Sequence, residues 1–119
     1  MTYSPDEEAL LEILEYSAER PGLVLGARSF QRLCGFIDGF IFARRGIEAG
    51  TLPVMSRFEA WMREFAGLPD DPSWERIIRF YSVDDSGAYD SFFRRWSAFL
   101  KDDRNSRPQD GPPEVPPNP

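Results

Sequence analysis

The chain of 119 residues contains no histidine. That absence removes the commonest general base, the commonest metal ligand and any Ser–His or Cys–His nucleophile pair. Cysteine is almost as scarce, with Cys34 the only one. No intrachain disulfide can form, and a reducing, cytoplasmic setting is the natural expectation. No apolar run approaches the roughly 18 residues of a membrane-spanning helix, so no membrane partner is expected. Residues 1–8 are polar and acidic, the opposite of a secretory leader. Positive charge is also in deficit: 14 Lys and Arg stand against 20 Asp and Glu, a net charge of −6. Nucleic-acid binders neutralise phosphates with clustered cations, so a nucleic-acid partner is not expected either.

What the chain does have is apolar and aromatic bulk. Hydrophobic residues make up 41% and aromatic ones 14%, enough for one core without staples. The negative charge is uneven. Residues 1–27 carry six acids and one base, residues 28–66 carry six bases and four acids, and residues 67–103 carry eight acids and five bases. One end of the fold should therefore be strongly negative. Such a field favours solubility and also steers association with a basic partner.

Apolar spacing predicts helices throughout. Ser4-Pro5-Asp6-Glu7 has the form of a capping box, with proline at the first helical position. Leu10, Ile13, Leu14 and Ser17 or Ala18 then follow helical spacing. On the same helix Glu8, Glu12, Glu15 and Glu19 recur every three or four residues, forming one acidic stripe. Like charges so placed cost on the order of 0.2–0.5 kcal/mol per pair. Arg20-Pro21-Gly22 ends this helix in a form suited to a type II turn. Leu23 to Leu25 are too few for a strand, and Gly26 suits a positive φ.

Ser29 caps a second helix, whose inward stripe is Phe30, Leu33, Cys34, Ile37, Phe40 and Ile41. Phe36 and Phe42 on its flanks predict cover on more than one side. Gly35 and Gly39, four apart, predict the close approach of another helix. Asp38 either faces solvent or pairs with Arg32 or Arg44. Arg44-Arg45-Gly46 ends this helix.

A third helix begins at Pro53, with Val54, Phe58, Trp61, Met62 and Phe65 inward. A fourth, capped by Asp70 or Asp71 before Pro72, turns Trp74, Ile77, Ile78 and Tyr81 inward. Asp84, Asp85 and Ser86 offer caps for a fifth, which carries Tyr89, Phe92, Phe93, Trp96, Phe99 and Leu100. Residues 104–119 contain six prolines and no apolar periodicity. They form an expected disordered tail after a single domain over residues 1–103. The expected fold is all-α, a compact bundle of about five helices.

No chemistry stands out. Asp84-Asp85 with Asp90, and Asp70-Asp71, lack the order of a calcium loop. Cys34 lies on an apolar stripe, where an inert buried thiol is the simple reading. No catalytic residue, metal or cofactor is expected.

A family pattern is nevertheless visible. Arg20-Pro21-Gly22, Leu25-Gly26, Ser29-Phe30, Leu33, Phe36-Ile37 and Gly39-Phe40 begin it. Phe58 with Trp61, Ser73-Trp74 with Ile77-Ile78, and Ala88-Tyr89 with Phe92-Phe93 continue it. Together these resemble a pattern in small immunity proteins of bacterial polymorphic toxin and contact-dependent inhibition systems. It covers about residues 5–101 and departs from the pattern at Leu23-Val24, where Met-Tyr is frequent. The resemblance implies a cytoplasmic, non-enzymatic protein that binds and neutralises one cognate toxin domain. It supplies no catalytic residues.

From charge placement, the expected contacts to a toxin, for example a basic nuclease, are Glu8, Glu12, Glu15, Glu19, Asp70, Asp71, Asp84 and Asp85. The alternative readings are an adaptor module or homodimer without a toxin, and a small ligand-binding protein or enzyme.

Overall fold

The computed structural model describes residues 3–46, 50–68 and 72–106. Every regular element among them is an α-helix: α1 (Pro5–Glu19), α2 (Pro21–Val24), α3 (Phe30–Arg45), α4 (Pro53–Ala66), α5 (Trp74–Phe80) and α6 (Asp85–Ser106). Helix α3 packs on α6 and α1, α4 and α5 pack on each other and on α6, and α2 packs on α1.

The core is aromatic. Phe58 of α4 is fully buried, with ring centroids 5.0 to 5.6 Å from Trp74, Phe92, Trp96 and Phe99. Phe30 of α3 joins from the other side through Trp74 at 6.0 Å and Phe92 at 6.4 Å. Edge-on and tilted contacts dominate here, the geometry favoured by the ring quadrupoles. Fully burying one such side chain is worth about 1.5–3 kcal/mol.

The capping box at Ser4 and Glu7 is present in full. Ser29 caps α3 as expected, and Gly46 ends it. Several expectations are corrected. Arg20-Pro21-Gly22 is not a type II turn: Gly22 lacks a positive φ. Pro21 instead opens the single-turn helix α2, closed by Leu25 N–H to the Pro21 carbonyl at 3.2 Å. Proline's fixed φ suits a first helical position as well as a turn corner. Gly26 does take a positive φ of 83°, and a Cβ there would lie 2.7 Å from the Arg32 guanidinium.

Among the described residues Gly35 and Gly39 receive no close neighbour, since none of those residues' atoms lies within 4 Å of a Cβ built at either. Phe42 beside them is exposed. The described residues therefore leave this face of α3 open rather than covered. Tyr81 and Phe65 are also exposed rather than inward. Ser73, not Asp70 or Asp71, caps α5; those two aspartates lie outside the described residues. The last helix continues three residues past the expected boundary at 103, to Ser106. Most of the expected disordered tail, residues 107–119, lies outside the described residues.

Candidate functional site

Three helices borrow N-terminal caps from carboxylates elsewhere in the fold. Glu7 of α1 accepts from Ser4 N–H at 2.9 Å through Oε1. Its Oε2 accepts from Val54 N–H of α4 at 2.7 Å. Leu52 at the α4 N-cap has no side chain able to do this. Asp85 of α6 accepts from Phe30 and Gln31 N–H at the start of α3, both at 3.0 Å. Glu59 of α4 accepts from Trp74 N–H of α5 at 3.1 Å.

Burial works against the ionised form of Asp85, but hydrogen bonds from the Ser29 side chain and from the Gln31 and Phe30 amides outweigh it. Arg79 adds to them, and the carboxyl sits below its ordinary range.

Five further carboxylates are also engaged within the fold. Asp103, 7% exposed, takes a two-point contact from Arg57, at 2.9 and 3.1 Å, and the Tyr3 hydroxyl at 2.8 Å. Asp102 accepts from Trp61 Nε1 at 3.0 Å. Asp6 pairs with Arg44 at 3.1 Å, and Asp90 pairs with Arg28. Asp84 accepts from Gly87 N–H at 2.7 Å, capping α6.

The acidic stripe of α1 is different. Glu8, Glu12, Glu15 and Glu19 are all exposed. Among the described residues, none of their carboxylates makes a hydrogen bond or ion pair.

Three of these four acids line a groove of about 1010 Å³ between α1 and α6. Tyr3, just before α1, reaches Asp103 near the end of α6, whereas Tyr89 near the start of α6 reaches the Ser17 carbonyl of α1 at 2.7 Å. The two helices are thus antiparallel and tied at both ends. Tyr89 and Asp103 lie 14 positions apart on α6, so the ties are about 21 Å apart along the helix.

Between them the floor is apolar. Leu14 and Trp96 are buried, while Leu11, Phe93 and Leu100 are only partly covered. Glu8, Glu12 and Glu15 form the α1 rim, and Lys101 and Arg104 stand on α6 at the Tyr3 end.

The structure therefore gathers Glu8, Glu12 and Glu15 at one concave site. Glu19 does not line the groove, and of the two aspartates at the start of α6, Asp84 caps α6 and Asp85 caps α3. Helical spacing marks the acidic rim in the sequence. It does not mark the apolar floor, because Phe93 and Leu100 carry the same spacing as the fully buried residues of α6.

Elsewhere the chemistry is inert. Cys34 is buried, and desolvation raises its thiol pKa, with the charge of Glu75 and a hydrogen bond to it adding to the effect. Asp38 is exposed rather than paired with Arg32 or Arg44 by any ion pair among the described residues. No group of three potential metal ligands is found among the described residues, and no helix there is long and apolar enough to cross a membrane. The chain matches no family model, no curated protein and no solved structure.

Proposed function

We propose that this protein is a non-enzymatic binding protein of the immunity type, acting in the cytoplasm to neutralise a cognate toxin domain. The α1 rim of the groove is its contact face. One contrast carries this reading. The fold engages eight carboxylates of the described residues internally, yet leaves Glu8, Glu12, Glu15 and Glu19 without a partner among those residues, at spacing that costs stability. A basic partner relieves that repulsion and gains charge-assisted contacts. Opposite charge at the rim also speeds encounter. Occlusion of the toxin's active site, or of a surface it needs, then blocks it.

The test is growth rescue of cells expressing the toxin domain encoded beside this gene. The unaltered protein is expected to protect, and Glu12→Lys with Glu15→Lys to abolish protection. Undiminished protection by the double variant removes the stripe from the interface. Failure of the unaltered protein to protect, or to bind that domain, overturns the immunity reading.

One observation favours self-association instead. Phe80 at the end of α5, with Tyr81 and Val83 just after it, are 79%, 61% and 101% exposed. Clustered apolar exposure of this kind marks interaction surfaces. Sedimentation equilibrium at micromolar concentration separates the two readings, because a dimer dissociated by Phe80→Ser without loss of fold supports a homodimer role.

A further inference from the structure

We infer that the α1–α6 groove seats one amphipathic helix of the partner, basic along the edge that faces α1. This rests on the reading of the α1 rim as the partner-binding face. Its length, floor and charge each specify the occupant.

The ties Tyr3–Asp103 and Tyr89–Ser17 join α1 and α6 at both ends of the groove. The trough between them spans about 21 Å, the length of roughly 14 helical residues. Its volume of about 1010 Å³ lies at the top of the roughly 300–1,000 Å³ range of small-molecule sites. It is a trough between two parallel ridges rather than an enclosed chamber. Two antiparallel helices with partly covered apolar residues facing a shared trough present the surface that takes the i, i+3, i+4, i+7 stripe of a third helix. No strand is present among the described residues to offer an edge to an extended peptide.

Charge fixes the orientation. Glu8, Glu12 and Glu15 run the length of the α1 rim and call for Lys or Arg along that edge of the guest. Lys101 and Arg104 stand at the Tyr3 end. A helix C-terminus carries partial negative charge. The C-terminal turn of the guest therefore lies beside Lys101 and Arg104.

The test uses two designed 14-residue helical peptides, each with one leucine face and an opposite face of either lysine or glutamate. Binding to the full chain is read by fluorescence anisotropy. The groove is plugged, without touching buried residues, by Ser97→Trp or Ala18→Trp, both at exposed lining positions. Circular dichroism and thermal melting verify that each variant is folded. The lysine peptide is expected to bind and to weaken at least tenfold in each plugged variant and in Glu12→Lys with Glu15→Lys. Equal binding of the glutamate peptide, or binding unchanged in both plugged variants, overturns the inference.

Toxin neutralisation separates this failure from failure of the broader reading. If both plugged variants still neutralise and the double charge reversal does not, the acidic face docks a surface and the groove stays empty. If neutralisation survives all of these changes, neither the groove nor the α1 rim is the interface.

Discussion

The Tyr89 hydroxyl donates to the Ser17 carbonyl at 2.7 Å, across 72 positions of sequence. In an α-helix that carbonyl would accept from the amide four residues on. Residue 21 is a proline and has no amide hydrogen. Tyr89 supplies the missing donor and ties the end of α1 to the start of α6.

Tyr89→Phe keeps the ring but leaves this carbonyl unpaired in a buried setting. Unfolding free energy is expected to fall by about 1–3 kcal/mol. Urea denaturation measures it.

Ser17→Ala should act in the opposite direction. The Ser17 hydroxyl is buried and, alone among the described buried side chains, has no hydrogen-bond partner. Its removal takes away a desolvated polar group and is expected to raise stability by about 1 kcal/mol. A fall in the urea midpoint would show that the hydroxyl has a partner after all.

Gly35→Ala and Gly39→Ala face open space within a helix. Each is expected to stabilise by about 0.5–1 kcal/mol, because alanine restricts the unfolded chain and favours helix. Thermal melting reads the gain. Destabilisation of both would mean that a neighbour covers this face.

Asp85→Ala removes the shared cap of α3. Loss of such a cap costs about 0.5–2 kcal/mol at neutral pH. The folded carboxyl titrates below its ordinary value of 3.8. Its contribution is therefore full above that value and disappears as pH falls through the lowered one. The stability gap between the unaltered chain and the variant should close in acid, as measured by denaturation near neutral pH and again below pH 3.8.

Glu75 has the reverse sign. Burial raises its pKa above the ordinary 4.5, with Asp38 adding, against the opposing Cys34 hydrogen bond and Arg79. Its ionisation is disfavoured in the folded state, so stability declines as pH rises through the raised value. Glu75→Gln is expected to remove that decline between pH 4.5 and neutrality in a series of thermal melts.

Local signals were legible wherever one segment completes its own structure. Ser4-Pro5-Asp6-Glu7 specifies its capping box, and Ser29 its cap, because both partners lie within three residues. The second role of Glu7, on Val54 N–H 47 positions away, leaves no mark in the sequence. Neither does the reach of Asp85 to Phe30 and Gln31. Pro21-Gly22 suits a turn corner and a helical first turn equally well, which hid α2. Gly35 and Gly39 have the spacing of a close helix contact, but spacing cannot show whether a neighbour arrives. The acidic rim of the groove follows from helical periodicity on α1. The groove itself depends on the separation of two helices some 80 residues apart in sequence.

The borrowed caps also bear on synthesis of the chain. Helix α3 receives its Asp85 cap only from α6, more than 50 residues downstream of Phe30. Phe92, Trp96 and Phe99, which close the core around Phe58, arrive on the same helix. A nascent chain emerging from the ribosome therefore holds the Phe30 and Gln31 amides of α3 without their carboxylate, and Phe58 open to water, until α6 has been made.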